Sequence, residues 1–329
     1  MILVPEEKIA EYVRKGWWGE RTLAEIFIAT ALRQPDALAV ADPPNLAAVC
    51  GLEPRRWRWS ELLREVGRMA AFLHAQGLRK DDVLVVQLPN CVEMHALYLA
   101  CAASGIVVSP VPVQYRGHEL AHVLAVTGAR MAITTERVGS HRAARLWAEL
   151  APQFAGTLQQ LWALGAELPA GVRPLAQALA TTEPWSAQAL RAHMAATGVT
   201  AHDVVTVCWT SGTEARPKGV PRNHNEWLIV GQSVIDAGQL QPGARMVIPF
   251  PFVNMAGVST SLAAWLLVGG TLHHHHPFDL DVFIAQLRDE PTDYTVAAPA
   301  VLSMLLKEPA KLAGVNLGRL RRLGSGGGP

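Results

Sequence analysis

The residues best equipped for chemistry stand together in Trp209-Thr-Ser-Gly-Thr-Glu-Ala-Arg-Pro-Lys-Gly-Val-Pro221. Thr210, Ser211 and Thr213 bring hydroxyl donors, and Gly212 lets the backbone turn so that successive N–H groups converge on one anion. Pro217 stiffens the far side, and Lys218 sets a compact positive charge where a polyphosphate would lie. A Walker A loop requires Gly-Lys followed by Ser or Thr, whereas this chain reads Pro-Lys-Gly, which argues against a P-loop kinase or GTPase. The plain alternative is a surface turn, since turns are rich in Ser, Thr and Gly.

A loop of this kind needs a rigid element before it. Asp203-Val-Val-Thr-Val-Cys-Trp209 has the apolar, β-branched character of a buried strand, which places the loop at the carboxyl edge of a sheet. Ligands of α/β proteins bind at that edge. Asp82–Asn90 reads as a second buried strand ending in a turn, followed by a helix through Ala102; a further helix begins near Glu119 and runs into a strand at Met131–Thr135. Such alternation predicts βαβ units on a largely parallel sheet. Ser60 reads as the N-cap of a helix whose stripe Leu62, Leu63, Val66, Met69, Leu73 is core packing.

The loop resembles the Thr-Ser-Gly-Thr-Thr-Gly-x-Pro-Lys-Gly signature of the adenylate-forming superfamily, which comprises acyl-CoA synthetases, aryl acid AMP ligases, peptide synthetase adenylation domains and luciferases. Glu214 and Ala215 depart from it. A carboxylate beside a polyphosphate is unfavourable unless it points away or meets Mg²⁺. The resemblance continues through Tyr12–Trp18 with Thr22–Phe27, Trp59-Ser-Glu-Leu62, Leu88-Pro-Asn90 with Glu93, and Ser109–Leu120. Pro249-Phe-Pro-Phe-Val-Asn-Met-Ala-Gly257 resembles the Pro-x-x-His-x-x-Gly segment bordering the acyl or aryl pocket, with Asn254 in place of His. An amide donates hydrogen bonds but does not titrate near neutrality, so an acid–base role is in doubt; Asn254 reads equally as a cap for a helix from Met255. Leu320–Pro329 is similar to the Ser-Gly-Gly-Ala-Pro turn of the same pocket.

The resemblance implies an α/β fold of two interleaved subdomains, with largely parallel sheets flanked by helices, one mainly from residues 60–225 and the other from 1–59 plus 226–329. It implies ATP-dependent activation of a carboxylic acid as an acyl adenylate, then thioester formation with CoA, with ATP, Mg²⁺ and CoA as cofactors or co-substrates. Phosphate contacts fall to Thr210, Ser211, Gly212, Thr213, Glu214 and Lys218, and pocket contacts to Phe252, Asn254, Gly257, Gly326, Gly327 and Gly328. The family's adenine, ribose and Mg²⁺ segments, its hinge and its C-terminal lid with the catalytic lysine have no counterpart here. The expectation is therefore the N-terminal part of such an enzyme, inactive alone. Pro221-Arg-Asn-His-Asn225 is similar to dihydroxybenzoate AMP ligases, which load a carrier protein. That reading stays open, as does a non-catalytic module that holds nucleotide or acid.

Composition narrows the partners. The chain has 329 residues, half of them apolar, enough to bury a large core, and a formal net charge of +1, which leaves no footprint for nucleic acid. Four cysteines without Cys-x-x-Cys spacing predict buried free thiols in a reducing compartment; with no secretory leader ahead of Glu6 and Glu7, a cytoplasmic location is expected. Residues 246–278 carry no Asp, Glu, Lys or Arg, but Pro249, Pro251, Asn254, Gly269 and Gly270 interrupt them, so a short core helix near Gly257–Val268 is predicted rather than a membrane span. His273–His276 would alternate faces in a strand, at most two converging on one ion, so a strand and turn without metal are expected. Residues 138–197, rich in Ala, Leu and Gln, read as amphipathic helices in a variable insertion.

Overall fold

A computed structural model describes residues 1–210, 216–318 and 320–326. The described residues form strands β1 (Leu38–Ala41), β2 (Arg56–Arg58), β3 (Val83–Gln87), β4 (Val107–Pro110), β5 (Met131–Thr135), β6 (Gln160–Leu164), β7 (Arg173–Pro174), β8 (Val204–Thr210), β9 (Lys218–Asn223), β10 (Arg245–Ile248), β11 (Thr271–His274), β12 (Tyr294–Ala297) and β13 (Arg322–Ser325). One sheet has the order β7-β6-β5-β3-β4-β8-β9 and the other β13-β12-β10-β11-β1-β2. Within the first only the edge pair β8–β9 is antiparallel; within the second only β1–β2 is. The fold is α/β with mostly parallel sheets, as expected.

Alternation along the strands sorts the core into two layers. In β3, Leu84 and Val86 join a large apolar cluster, while Val85 points to a smaller one; in β5, Met131 and Ile133 take the first side and Ala132 the second. The large cluster also holds Val40, Met246, Leu272 and Val296 of the other sheet, together with residues of helices Leu23–Arg33, Trp59–Ala75 and Val92–Ser104. Every residue of Val92–Ser104 is buried. A mostly apolar helix belongs in such a position, and Glu93 and His95 within it find partners there. The smaller cluster packs the outer face of the seven-stranded sheet against helices Gly117–Thr127 and Ala143–Leu150 through Leu120, Val123, Trp147 and Trp209.

Four local expectations are revised. The helix of the Leu62 stripe starts at Trp59, and its first turn is closed by the Glu61 carboxylate, which accepts the Arg58 N–H at 2.8 Å; Ser60 is already inside the helix. Residues 138–197 contain two strands, β6 and β7, which extend the seven-stranded sheet beyond β5. In β6, Gln160-Leu-Trp-Ala-Leu164 is short and carries no β-branched residue, so pairing with β5 overrides its composition. Lys218 lies within β9, paired with Thr210, so the chain leaves one strand and re-enters an antiparallel neighbour. The apolar helical stretch runs from Met255 to Val268 and is not uniform: Ser259–Ala264 forms a π-helical turn between two α-helical turns. Among the described residues no helix is long and apolar enough to cross a membrane. All four cysteines are free and buried.

Candidate functional site

Parallel strands give each sheet a carboxyl edge, and the sequence places its chemistry there. Beyond β3 lies Leu88-Pro-Asn90, and β8 ends at Thr210; beyond β10 lies Phe250–Asn254, beyond β11 His275–His276, and beyond β13 Gly326. Two ties join the two edges. Asp42, just after β1, accepts the Val92 N–H at 2.8 Å. Asn90 brackets the other sheet's segment: its Nδ2 donates to the Phe250 carbonyl at 2.8 Å, and its Oδ1 accepts the Phe252 N–H at 2.8 Å. Tyr98 completes the hold by donating its hydroxyl to the Phe252 carbonyl at 2.9 Å.

The Phe252 side chain is fully buried, its ring 4.6 Å from that of Tyr98 and 4.6 Å from that of His95. Asn254 acts as the helix cap, its Oδ1 accepting the Gly257 N–H at 2.8 Å, which leaves Nδ2 outside the cap. Gly257 is required by the same turn, because a Cβ there would stand 1.8 Å from the Pro251 carbonyl oxygen. Gly326, by contrast, has open space around it. Gly327 and Gly328 lie outside the described residues.

Of the phosphate-loop residues, Ser211, Gly212, Thr213 and Glu214 likewise lie outside the described residues. Thr210 and Lys218 are exposed and cross-strand neighbours, Thr210 Oγ1 donating to the Lys218 carbonyl at 3.5 Å. Both stems are fastened. Trp209 Nε1 donates to Ser109 Oγ at 2.8 Å, and His122 Nε2 donates to the Pro217 carbonyl at 2.9 Å. Beside them a concavity of about 680 Å³ is walled by His122, Val126, Trp209 and Pro217, with Arg216 and Lys218 among its lining residues.

The histidine run enters as strand β11 and leaves it after His274; all four rings are buried. His95 Nε2 lies 2.9 Å from the Ser261 carbonyl, which only accepts, so Nε2 carries the proton; Nδ1 then accepts from His274 Nε2, also at 2.9 Å. Burial lowers the pKa of His95 to about 3 and that of His276 to about 4, and holds His274 well below the usual range. His275 donates Nδ1 to Gln286 Oε1 at 2.7 Å and accepts the Asp279 N–H at Nε2. His95, His274 and His275 each bond a protein partner, whereas His274 Nδ1 and His276 Nδ1 are buried without one; among the described residues no group of three or more His, Cys, Asp or Glu could hold a metal.

Sequence reading missed a carboxyl pair at the seam. Asp42 is pushed up to about 8, by burial first and by neighbouring Glu93 second, against the pull of the Arg55 and Val92 N–H groups. Glu93 itself is buried and pairs with Arg55 at 2.9 Å. It missed His122 as well. Asn223, His224 and Asn225 prove to be fasteners: Asn223 caps the helix His224–Gly238, His224 Nδ1 accepts the Leu23 N–H at 3.2 Å, and Asn225 holds both Gly19 N–H and Gly19 carbonyl at 2.9 and 3.0 Å.

Known proteins share this organisation. The chain is 28% identical over 314 residues to the medium-chain fatty-acid–CoA ligase of Escherichia coli (strain K12), covering 94% of this chain and 52% of that protein. It is 36% identical over 126 residues to the salicyl-AMP ligase / salicyl-S-ArCP synthetase of Mycobacterium tuberculosis (strain ATCC 25618 / H37Rv), covering 38% of this chain and 21% of that protein. The Mycobacterium smegmatis MbtA apo structure superposes with a TM-score of 0.79 at 21% identity, covering 99% of this chain and 56% of that one, a likeness of fold. The chain thus spans about half the length of the E. coli relative. The family described as AMP-binding enzyme matches residues 27–329, and the chain belongs to it.

Proposed function

We propose that the chain is the N-terminal part of an ATP-dependent acid–thiol ligase that makes an acyl-CoA. The observation that carries the reading is the Trp209–Pro221 segment, which joins two strands at a carboxyl edge tied by Asn90 to the Phe250–Asn254 segment of the other sheet. A carboxylate oxygen of the acid attacks the α-phosphorus of ATP and the bond to pyrophosphate breaks; a thiolate then attacks the acyl carbon and AMP leaves. Thr210, Ser211, Gly212, Thr213 and Lys218 orient the β- and γ-phosphates as the leaving group, with Glu214 beside them, a role of positioning and charge. Phe252, Asn254, Gly257 and Gly326–Gly328 shape the acid's side, where Asn254 Nδ2 is the donor left over from the cap. Mg²⁺ bound with the ATP phosphates would supply further positive charge to the leaving pyrophosphate.

Transfer to a carrier protein instead of CoA is the second reading, favoured by the higher identity to the salicyl-AMP ligase over a shorter stretch. Four buried free thiols support a reducing compartment, and we place the protein in the cytoplasm. Acid-dependent exchange of labelled pyrophosphate into ATP, run on the full gene product across alkyl and aryl acids, tests the reading. Exchange followed by CoA thioester formation is expected; thioester formation only on a carrier protein selects the second reading. ATP binding without exchange for any acid would reduce the chain to a binding module.

A further inference from the structure

We propose that His122 is a positioning residue that fixes the Pro217 carbonyl and, through it, Lys218 as a phosphate-binding cation; the latter half rests on the phosphate reading given above. The helix Gly117–Thr127 carries His122 on the outer face of the seven-stranded sheet. Its Nε2 donates to the Pro217 carbonyl at 2.9 Å, one residue before Lys218. A carbonyl only accepts, so the proton sits on Nε2.

The ring also stands edge-on to Trp209, centroids 6.0 Å apart, and Trp209 is itself tied to Ser109. His122 therefore packs against Trp209 and bonds Pro217. Gly219 leaves room for the Trp209 side chain across the strand pair, since a Cβ there would stand 2.9 Å from Val207 Cγ1 and 3.3 Å from the Trp209 ring. Without the tie, Lys218 keeps its pairing with Thr210 across β8 and β9, but the Pro217 carbonyl ahead of it loses the partner that fixes it. The ordering cost of placing Lys218 on a polyphosphate would then fall on the binding event.

Two readouts separate the anchor from the phosphate site. Hydrogen exchange of the Arg216, Lys218 and Gly219 amides reports the stem with no ligand present, and calorimetric titration with inorganic tripolyphosphate reports the site. His122→Phe, which keeps an aromatic ring against Trp209 but has no donor, is expected to speed exchange at these amides about tenfold and to weaken tripolyphosphate binding by about the same factor. His122→Gln, whose Nε2 reaches the same carbonyl, restores both, which loss of packing alone would not allow. Should the Phe variant fail to fold, His122→Ala serves in its place. Unchanged exchange in a folded donor-less variant overturns the proposal. Faster exchange in a protein whose wild type ignores tripolyphosphate keeps the anchor and removes the phosphate site.

Discussion

Asn90 and Phe252, which follow strands of different sheets, are joined by a hydrogen bond of 2.8 Å from the Phe252 N–H to the Asn90 amide oxygen, and the other end of the same amide holds the Phe250 carbonyl. One planar group thereby satisfies a donor and an acceptor two residues apart. A carboxylate could accept but not donate, and an aliphatic side chain could do neither. Asn90→Ala leaves both main-chain groups without partners and is expected to cost about 1–3 kcal/mol in urea unfolding. Asn90→Asp should recover little of it, since its oxygen would face the Phe250 carbonyl. Wild-type stability in the alanine variant would show that the bridge carries no weight.

The turn from Pro251 to Gly257 gives a second expectation. Gly257→Ala forces the Pro251 carbonyl or the helix start to move, because the added carbon would lie 1.8 Å from that oxygen. A loss of about 1–3 kcal/mol follows, as for an overpacked core. Asn254→Ala removes only the cap and should cost about 1 kcal/mol. Differential scanning calorimetry ranks the two, and the reverse order would contradict this geometry.

On the proposed phosphate role of Lys218, Lys218→Ala in the full gene product would remove a charge-assisted contact of about 1.5–3 kcal/mol and should weaken ATP use by roughly ten- to a hundredfold. The KM for the acid should change far less. Kinetics with ATP and acid varied separately decide this, and an unchanged ATP dependence in a folded variant would make the segment an ordinary turn.

Stability should peak near pH 6.5. His95 is lowered to about 3 and His224, His273 and His276 to about 4, all chiefly by burial, against an ordinary 6.5. As pH falls below 6.5 the unfolded chain binds protons that the folded chain refuses, so stability present above that pH is lost, by about 1.4 kcal/mol per pH unit for each ring. Asp42 works in the opposite sense. Its folded value of about 8 lies above the ordinary 3.8, so its contribution is complete below 3.8 and is lost as pH rises towards 8. The four rings prevail below pH 6.5, and Asp42 governs the interval from there to 8. Unfolding free energies measured from pH 5 to 8.5 should show both flanks, with Asp42→Asn flattening the alkaline one and steepening the acid one. A flat profile from 6.5 to 8 in the wild type would refute the assignment of a retained proton to Asp42.

Much of this fold was legible because local and tertiary preferences agree. The β-branched runs of β3 and β8 and the stripe from Leu62 to Leu73 needed no long-range information. Gln160–Leu164 was misread because its composition favours a helix, and only the waiting edge of β5 makes it a strand. In the site, Asn90 was visible as part of a pattern, but its role was not, since its partners lie some 160 residues away. His122 had no local signal at all. Asn254 could be read two ways because a capping amide spends only its oxygen, and the structure shows that use without consuming the other end.

Strand β1 has to wait for its neighbour. Val40 pairs with Leu272 of β11, and Ala41 with His273, so the inner edge of Leu38–Ala41 finds its partner only after some 230 further residues have been made. The seven-stranded sheet draws all its strands from residues 83–223 and can close in the meantime. At about 5–20 residues per second on a ribosome, the interval is roughly 10–50 s. During it a four-residue apolar strand destined for the interior stands paired on one side at most. The nascent chain therefore presents a defined early client segment, and slowing elongation between residues 224 and 271 would lengthen the exposure of β1 without altering the finished molecule.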